Sequence, residues 1–212
     1  MLRARGTKAV PRFSHGFSLI ELMVTVSIMV ILMTAVAPGA SEWLANLRLR
    51  GAAEAALAGL QKARAEAIKR NQVVTFWLVS PANVASLDNS CDLSSTSPSW
   101  VISLDSPAGQ CASATSATVA PRIVEAHGAG SATTGIDVAA LTQVDPVAGT
   151  AQPANQVAFD AFGQTLNPAA SIRTIDFISP TAGTRHLRMQ ISLAGAVRMC
   201  DRDVAAPDPM TC

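Results

Sequence analysis

The residues of the chain that are suited to acid–base or nucleophilic chemistry are few and widely separated. Three histidines occur in 212 residues, and two of them, His127 and His186, lie beyond position seventy. Neither belongs to an H-E-x-x-H zinc motif, and no serine lies in the G-x-S-x-G motif of a nucleophile elbow. The glycine-rich run 128–135 has the wrong spacing for a dinucleotide fingerprint, and no lysine follows it to make a phosphate loop. We therefore predict that the chain is not an enzyme and binds no cofactor.

One segment near the start of the chain is apolar over twenty-one consecutive residues. It runs from Phe17 to Ala37 as FSLIELMVTVSIMVILMTAVA, and Glu21 is its only ionisable residue. A helix of this length extends about 31 Å, which matches the hydrocarbon core of a bilayer. Residues 1–16 carry four basic residues and no acid, which places them in the cytoplasm and the following chain outside. The sequence predicts a single membrane span with this orientation.

Two cleavage events are compatible with this segment, and the first is the removal of a secretory signal. The triplet Ala35-Val36-Ala37 imitates the cleavage site of a secretory signal, and a cut after Ala37 would release an exported enzyme. Pro38 would then follow the cut, where its rigid ring fits an extended protease subsite poorly. Glu21 also argues against release, because an ionised group in an apolar run costs a few kcal/mol and a disposable signal has no use for it. Release at Ala37 is the lesser alternative.

Residues 15–22, with the sequence HGFSLIEL, carry a resemblance to a known family. The passage resembles the processing motif of type IV prepilins and type II secretion pseudopilins. This resemblance implies that prepilin peptidase cleaves between Gly16 and Phe17 on the cytoplasmic side, and that the new amino group of Phe17 is N-methylated. The amine is largely cationic at neutral pH, and in low dielectric it and Glu21 each need a partner. Glu21 lies about 6 Å along the helix from it, and the family favours pairing with the terminus of a neighbouring subunit.

The rest of the sequence predicts an α+β fold in which a long helix packs on antiparallel sheet. Residues 38–71 continue the helix, because small and apolar residues recur in three- and four-residue steps. Residues 72–212 form a β-rich domain. Its short apolar runs between Gly, Pro, Ser and Asn predict strands at 73–79, 100–104, 122–125, 136–140, 156–159, 164–166, 172–178, 186–192 and 196–200.

A second resemblance narrows the family. Residues 59–71 with 73–75, the passage 159–163 and the passage 191–200 are similar to the H-type pseudopilin and FimT-like minor pilin family. The resemblance implies a pilin-like fold and a minor subunit of a type IV pilus or a type II secretion pseudopilus. Its partners would be other pilins in the filament and prepilin peptidase. Its location would be the bacterial inner membrane, with residues 1–16 removed, residues 17–37 spanning the bilayer and the C-terminal domain in the periplasm.

Four cysteines follow the apolar segment: Cys91, Cys111, Cys200 and Cys212. An even number in a compartment that oxidises thiols predicts disulfides, and four cysteines permit three connectivities. Proximity in sequence favours Cys91–Cys111 and Cys200–Cys212. A metal site is the competing interpretation, but no two cysteines have C-x-x-C spacing and histidine is scarce, so we predict no metal.

Four arginines near the C-terminus are candidates for binding DNA: Arg185, Arg188, Arg198 and Arg202. Some FimT-like pilins are DNA receptors for natural transformation, and the resemblance implies a G-R-x-R motif in them where this chain has Gly195-Ala196-Val197-Arg198. Alanine therefore replaces the first arginine. Residues 73–212 hold six arginines, no lysine and eleven acids, so long-range attraction to phosphate is weak. DNA binding is the second hypothesis, and neutralisation of nearby aspartates is the other interpretation of these arginines.

Overall fold

In the computed structural model of the protein, described for residues 17–83, 86–130, 133, 135–143 and 151–212, one long helix precedes ten strands. Their bounds are α1 Leu19–Arg70, β1 Val74–Ser80, β2 Asp92–Leu93, β3 Ser99–Ser103, β4 Ile123–His127, β5 Asp137–Leu141, β6 Gln156–Phe159, β7 Thr165–Leu166, β8 Thr174–Ile178, β9 Leu187–Ile191 and β10 Val197–Asp201. The chain divides into two compact units, Met1–Ala40 and Ser41–Cys212. The predicted α+β class is confirmed.

The second half of helix α1 buries one stripe of small and apolar side chains. These residues are Leu49, Ala53, Ala56, Leu60, Ala63 and Ala67, and each is at most 1% exposed. They recur at intervals of three and four, so they lie on one face of the helix. Alanines on this face let the sheets approach the helix closely. The helix ends at Arg70, and Asn71 adopts a positive φ of 51° directly after it.

Two antiparallel sheets form the β-rich unit. The first has the order β4-β3-β1-β6-β7, with β2 also pairing to β1, and the second has the order β10-β9-β8-β5. The segment that leads into β8 is hydrogen-bonded to the first sheet, since Ile172 N–H donates to the Gln156 carbonyl of β6 at 2.8 Å. The nine predicted strands are all present, each within two residues of its predicted ends. Strand β2 was not predicted.

The apolar interior consists of a main core and a small satellite. The main core lies between helix α1 and both sheets, and its largest buried side chains include Phe76, Phe159 and Phe177. The satellite surrounds the disulfide between Cys91 and Cys111, together with Val79, Val101 and Ile123. Lys62 on the helix also forms an ion pair with Glu125 on β4. The helix is thus attached to the first sheet by both apolar and ionic contacts.

Two glycines of helix α1 provide a matched test of this packing. A methyl group at Gly59 would lie 2.9 Å from Trp100 Cζ2 and 3.0 Å from Phe76 Cε2, whereas one at Gly51 would meet no atom within 4 Å. Overpacking a core costs about 1–3 kcal/mol, while replacing an exposed helical glycine with alanine gains about 0.5–1 kcal/mol. We expect Gly59→Ala to lower and Gly51→Ala to raise the free energy of unfolding in urea. Shifts of the same sign would contradict the close helix–sheet contact at Gly59.

Candidate functional site

The predicted assembly segment begins at the first described residue. Phe17 and Ser18 precede helix α1, and the Ser18 carbonyl accepts a hydrogen bond from Leu22 N–H at 3.1 Å. Glu21 is the acidic residue of the first helical turn. Its carboxylate is therefore one turn from the Phe17 amino group that cleavage would create. Gly16 and the rest of the predicted leader lie outside the described residues.

The hydroxyl groups of the apolar segment bond to the helix itself. Thr25 Oγ1 donates to the Leu22 carbonyl at 2.9 Å, Ser27 Oγ donates to the Met23 carbonyl at 2.7 Å, and Thr34 Oγ1 donates to the Ile31 carbonyl at 2.8 Å. Polar groups satisfied in this way are compatible with lipid. By length and composition no single described helix qualifies as a membrane span, whereas the segments Leu19–Thr34 and Gly39–Arg70 qualify when taken together as a bent pair.

The sequence predicts the four C-terminal arginines together as candidate DNA contacts. The structure buries one of them, Arg188. Arg188 on β9 lies opposite Asp176 on β8 in the sheet register. Its guanidinium donates two hydrogen bonds to the Asp176 carboxylate, Nε to Oδ1 at 2.6 Å and Nη2 to Oδ2 at 2.8 Å. The two residues are 8% and 4% exposed. A planar guanidinium facing a carboxylate in this bidentate geometry forms a strong, directional pair.

The other three arginines also contact acceptors of the same region. Arg202 Nη1 lies 3.2 Å from Asp176 Oδ2, and Arg185 Nε lies 3.9 Å from the buried carboxylate of Asp201. Arg198 donates to the Thr211 carbonyl. Arg185 and Arg202 thus lie near aspartates, as the interpretation of charge neutralisation expects, whereas Arg198 contacts a backbone carbonyl. DNA binding through them stays a prediction.

The C-terminal tail is attached to β10 beside this ion pair. Cys200 forms a disulfide with Cys212, and it lies directly opposite Arg188 in the β9–β10 register. Asp201 N–H donates to the Met210 carbonyl at 2.7 Å, and residue 201 forms a parallel bridge with Thr211. The tail thereby covers the end of an edge strand.

His127 and His186 both make structural contacts. The ring of His127 stacks on that of Trp100 at a centroid distance of 5.1 Å. His186 Nδ1 lies 3.0 Å from Asp203 Oδ1. Within the described ranges, no group of three or more His, Cys, Asp or Glu side chains has an arrangement that would hold a metal ion.

A connection that the sequence did not reveal joins the helix to two turns. Arg64 donates from Nε to the Gly163 carbonyl at 3.0 Å and from Nη2 to the Ala194 carbonyl at 3.1 Å. Gly163 and Gly195 have positive φ angles of 74° and 73°. A Cβ on Gly195 would overlap the Gly163 carbonyl oxygen. Arg64 therefore holds together a turn of each sheet, and glycine is required where the turns meet.

Glu66 gives the end of helix α1 a pH-dependent stability. Hydrogen bonding from Arg70, at 2.6 Å, outweighs the opposing effect of burial and, with Lys69, lowers the pKa of the Glu66 carboxyl. A carboxyl whose pKa is lower in the folded state stabilises the fold above its unfolded pKa, and this contribution is lost as pH falls through the folded pKa.

We expect Glu66→Gln to destabilise the protein at pH 7 by less than about 1 kcal/mol, and to lose this effect in acid below the folded pKa. Urea unfolding at both pH values measures the difference. The matched control is Glu54→Gln, because Glu54 pairs with Arg50 on the same helix at 2.8 Å but both side chains are more than half exposed. An equal loss at both pH values for Glu66→Gln would refute the linkage.

Two models of known protein families match the chain, one at the N-terminal segment and one over the last part of helix α1 and most of the strands. A model described as a prokaryotic N-terminal methylation motif matches residues 11–37, which include the predicted cleavage site and the apolar segment. A model described as type II transport protein GspH matches residues 52–195, which is more than half of the chain. The chain belongs to the GspH family. It is a minor pilin or pseudopilin of a type IV pilus or a type II secretion system, with a pilin-like α+β fold.

Solved structures similar to the chain include two crystal forms of the type IV minor pilin FimU of Pseudomonas aeruginosa strain PAO1. One has 18% sequence identity and a TM-score of 0.46, covering 76% of this chain and 93% of that chain. The other has 16% identity and a TM-score of 0.43, covering 75% of this chain and 98% of that chain. A comparison with curated proteins finds no match.

Proposed function

We propose that this subunit enters its filament through residues 17–37 after prepilin peptidase cleaves between Gly16 and Phe17. The observation that supports this most is the methylation-motif match over residues 11–37, which ends where the apolar segment ends. Cleavage would place the new amino group of Phe17 one helical turn before Glu21. N-methylation of Phe17 would leave that group able to carry a positive charge.

The apolar segment needs a partner that the isolated subunit does not supply. Large side chains along it are more than half exposed, including Phe17 at 82% and Leu19 at 77%. Exposed apolar surface of this extent indicates contact with lipid or with another protein. Lipid covers it before assembly, and the corresponding helices of neighbouring pilins cover it in the filament. In that apolar setting the Phe17 amine of one subunit and Glu21 of another neutralise each other.

The proposed topology follows from charge. The leader, residues 1–16, has four basic residues and no acid, and this positive charge keeps it in the cytoplasm. The segment anchors the precursor in the inner membrane. The β-rich domain then lies in the periplasm, where its four cysteines meet an oxidising environment.

Mass spectrometry of the mature protein from cells tests the processing step. We expect a chain that starts at N-methylated Phe17 and contains both disulfides. Gly16→Val is the matched variant, because a branched side chain before the cleaved bond should block the peptidase and leave residues 1–16 attached. A mature chain starting at Pro38 would overturn the proposal and favour an exported protein released at Ala37.

A further inference from the structure

Helix α1 has a second apolar face, close to the start of the β-rich unit, that the core does not use. Trp43, Leu44 and Leu47 are 65%, 43% and 46% exposed, whereas the neighbouring Leu49 is buried. Positions 43, 44 and 47 share one side of a helix. Met210 of the C-terminal tail, 39% exposed, lines the same groove as Trp43 and Leu47. We call these four residues the Trp43 patch.

The surroundings of the Trp43 patch are built from ordered contacts. A groove of about 470 Å³ lies between the helix and the second sheet, and its lining includes Leu187 of β9 and Met199 of β10. Arg185 N–H donates to Asn46 Oδ1 at 3.0 Å, which fixes the preceding loop against the helix. The patch is therefore a formed surface of one unit and needs no rearrangement to receive a partner.

Two exposed guanidinium groups border the same groove. Arg50 and Arg185 line it, and although Arg50 pairs with Glu54 at 2.8 Å and Arg185 lies 3.9 Å from Asp201, their side chains stay 68% and 69% exposed and have further N–H groups to donate. Guanidinium groups bind phosphate oxygens through paired hydrogen bonds. Tryptophan is enriched where membrane meets water, because its ring is apolar and its N–H needs a polar partner. An exposed tryptophan beside two arginines has the chemistry of a surface for phospholipid headgroups.

The Trp43 patch lies close in sequence to the apolar segment, and this limits its distance from the membrane. Trp43 follows Ala37, the last residue of the apolar segment, by six residues. Six residues measure about 9 Å along a helix and about 20 Å at full extension. The headgroup layer on each side of a bilayer is roughly 5–8 Å thick. If residues 17–37 span the membrane, the Trp43 patch cannot lie far from the headgroups.

We propose that the Trp43 patch docks on the headgroup layer of the membrane in the unassembled subunit, with Trp43 inserted and Arg50 and Arg185 on lipid phosphates. This inference rests on the proposed membrane anchoring. Docking holds the β-rich unit against the bilayer until the subunit joins a filament. Phospholipid is thus the ligand of the patch.

Tryptophan fluorescence of the full chain in vesicles tests the inference. The protein is reconstituted into phosphatidylcholine–phosphatidylglycerol vesicles whose acyl chains carry bromine, a quencher, either near the headgroup or near the chain end. We expect a loss of emission that is greater with shallow bromines than with deep ones. Trp43→Phe should abolish that loss, because the two tryptophans that remain, Trp77 and Trp100, lie on strands β1 and β3 and outside the Trp43 patch.

A second variant separates this inference from the anchoring on which it rests. Val30→Trp in the Trp43→Phe background places the fluorophore in the apolar segment, and deep bromines should quench it if that segment spans the bilayer. Failure of deep quenching at position 30 would overturn the anchoring. Quenching at position 30 without shallow quenching at Trp43 would overturn docking. Shielding of Trp43 found only in assembled filaments would assign the patch to a neighbouring subunit instead.

Discussion

Arg188→Ala is expected to lower the free energy of unfolding by about 3–5 kcal/mol, because it removes the main partner of a buried carboxylate. Asp176 is 4% exposed, and two of its hydrogen bonds come from Arg188. Water cannot replace those donors without opening the second sheet. For a chain of this size the loss corresponds to a fall in melting temperature on the order of 10 °C. Urea unfolding of the detergent-solubilised chain, followed by circular dichroism, measures it.

Arg202→Ala is the matched control, because Arg202 contacts the same carboxylate from a half-exposed position. Its Nη1 lies 3.2 Å from Asp176 Oδ2, and its side chain is 42% exposed. We expect a loss below about 1 kcal/mol. The double variant Asp176→Leu with Arg188→Met should recover most of the stability lost in Arg188→Ala, because it removes both buried charges. A larger loss for Arg202→Ala than for Arg188→Ala would reverse our ranking of the two contacts.

Arg188 shows which kind of contact the sequence alone does not predict. In sequence it is one of four similar arginines, and nothing local distinguishes it from the others as a candidate DNA contact. Its partner Asp176 is twelve residues earlier, and the two meet only because β8 and β9 pair in one register. The same limit applies to Arg64, whose acceptors are 99 and 130 residues away. Contacts of this kind depend on tertiary register, which local patterns do not encode.

The elements themselves were predictable because their signals are local. The buried stripe of helix α1 is visible as small residues at intervals of three and four, and short apolar runs bounded by Gly, Pro, Ser and Asn mark the strands. Strand β2 escaped prediction because it pairs only Leu93 and Asp92 with Val79 and Ser80. The equally short β7 directly follows the turn 160–163 that ends β6, whereas β2 lies among serine, aspartate and asparagine residues with no apolar run beside it. It is ordered instead by its neighbours, the edge of β1 and the adjoining disulfide at Cys91.

Glu21→Gln should reduce incorporation of the subunit into filaments by more than about tenfold while leaving membrane insertion and cleavage intact. The amide has nearly the same shape as the carboxylate, but it carries no charge to neutralise the amine of Phe17 in a neighbouring helix. Leaving one buried charge without its partner costs about 3–5 kcal/mol, and each 1.4 kcal/mol is a factor of ten in an equilibrium. In the proposed route, insertion would depend on the apolar residues and cleavage on Gly16 and Phe17, so neither should require the charge.

Pull-down of assembled filaments, with quantification of the subunit by immunoblot, measures the effect of Glu21→Gln. The matched control is Glu42→Gln, because Glu42 is an exposed acid of the same helix that lies beyond the apolar segment. A uniform effect of removing negative charge would weaken incorporation of both variants equally. If Glu21 forms a specific pair with the Phe17 amine, only Glu21→Gln should reduce incorporation. Normal incorporation of Glu21→Gln would mean that the amine of Phe17 finds another partner, and that the filament does not depend on this carboxylate.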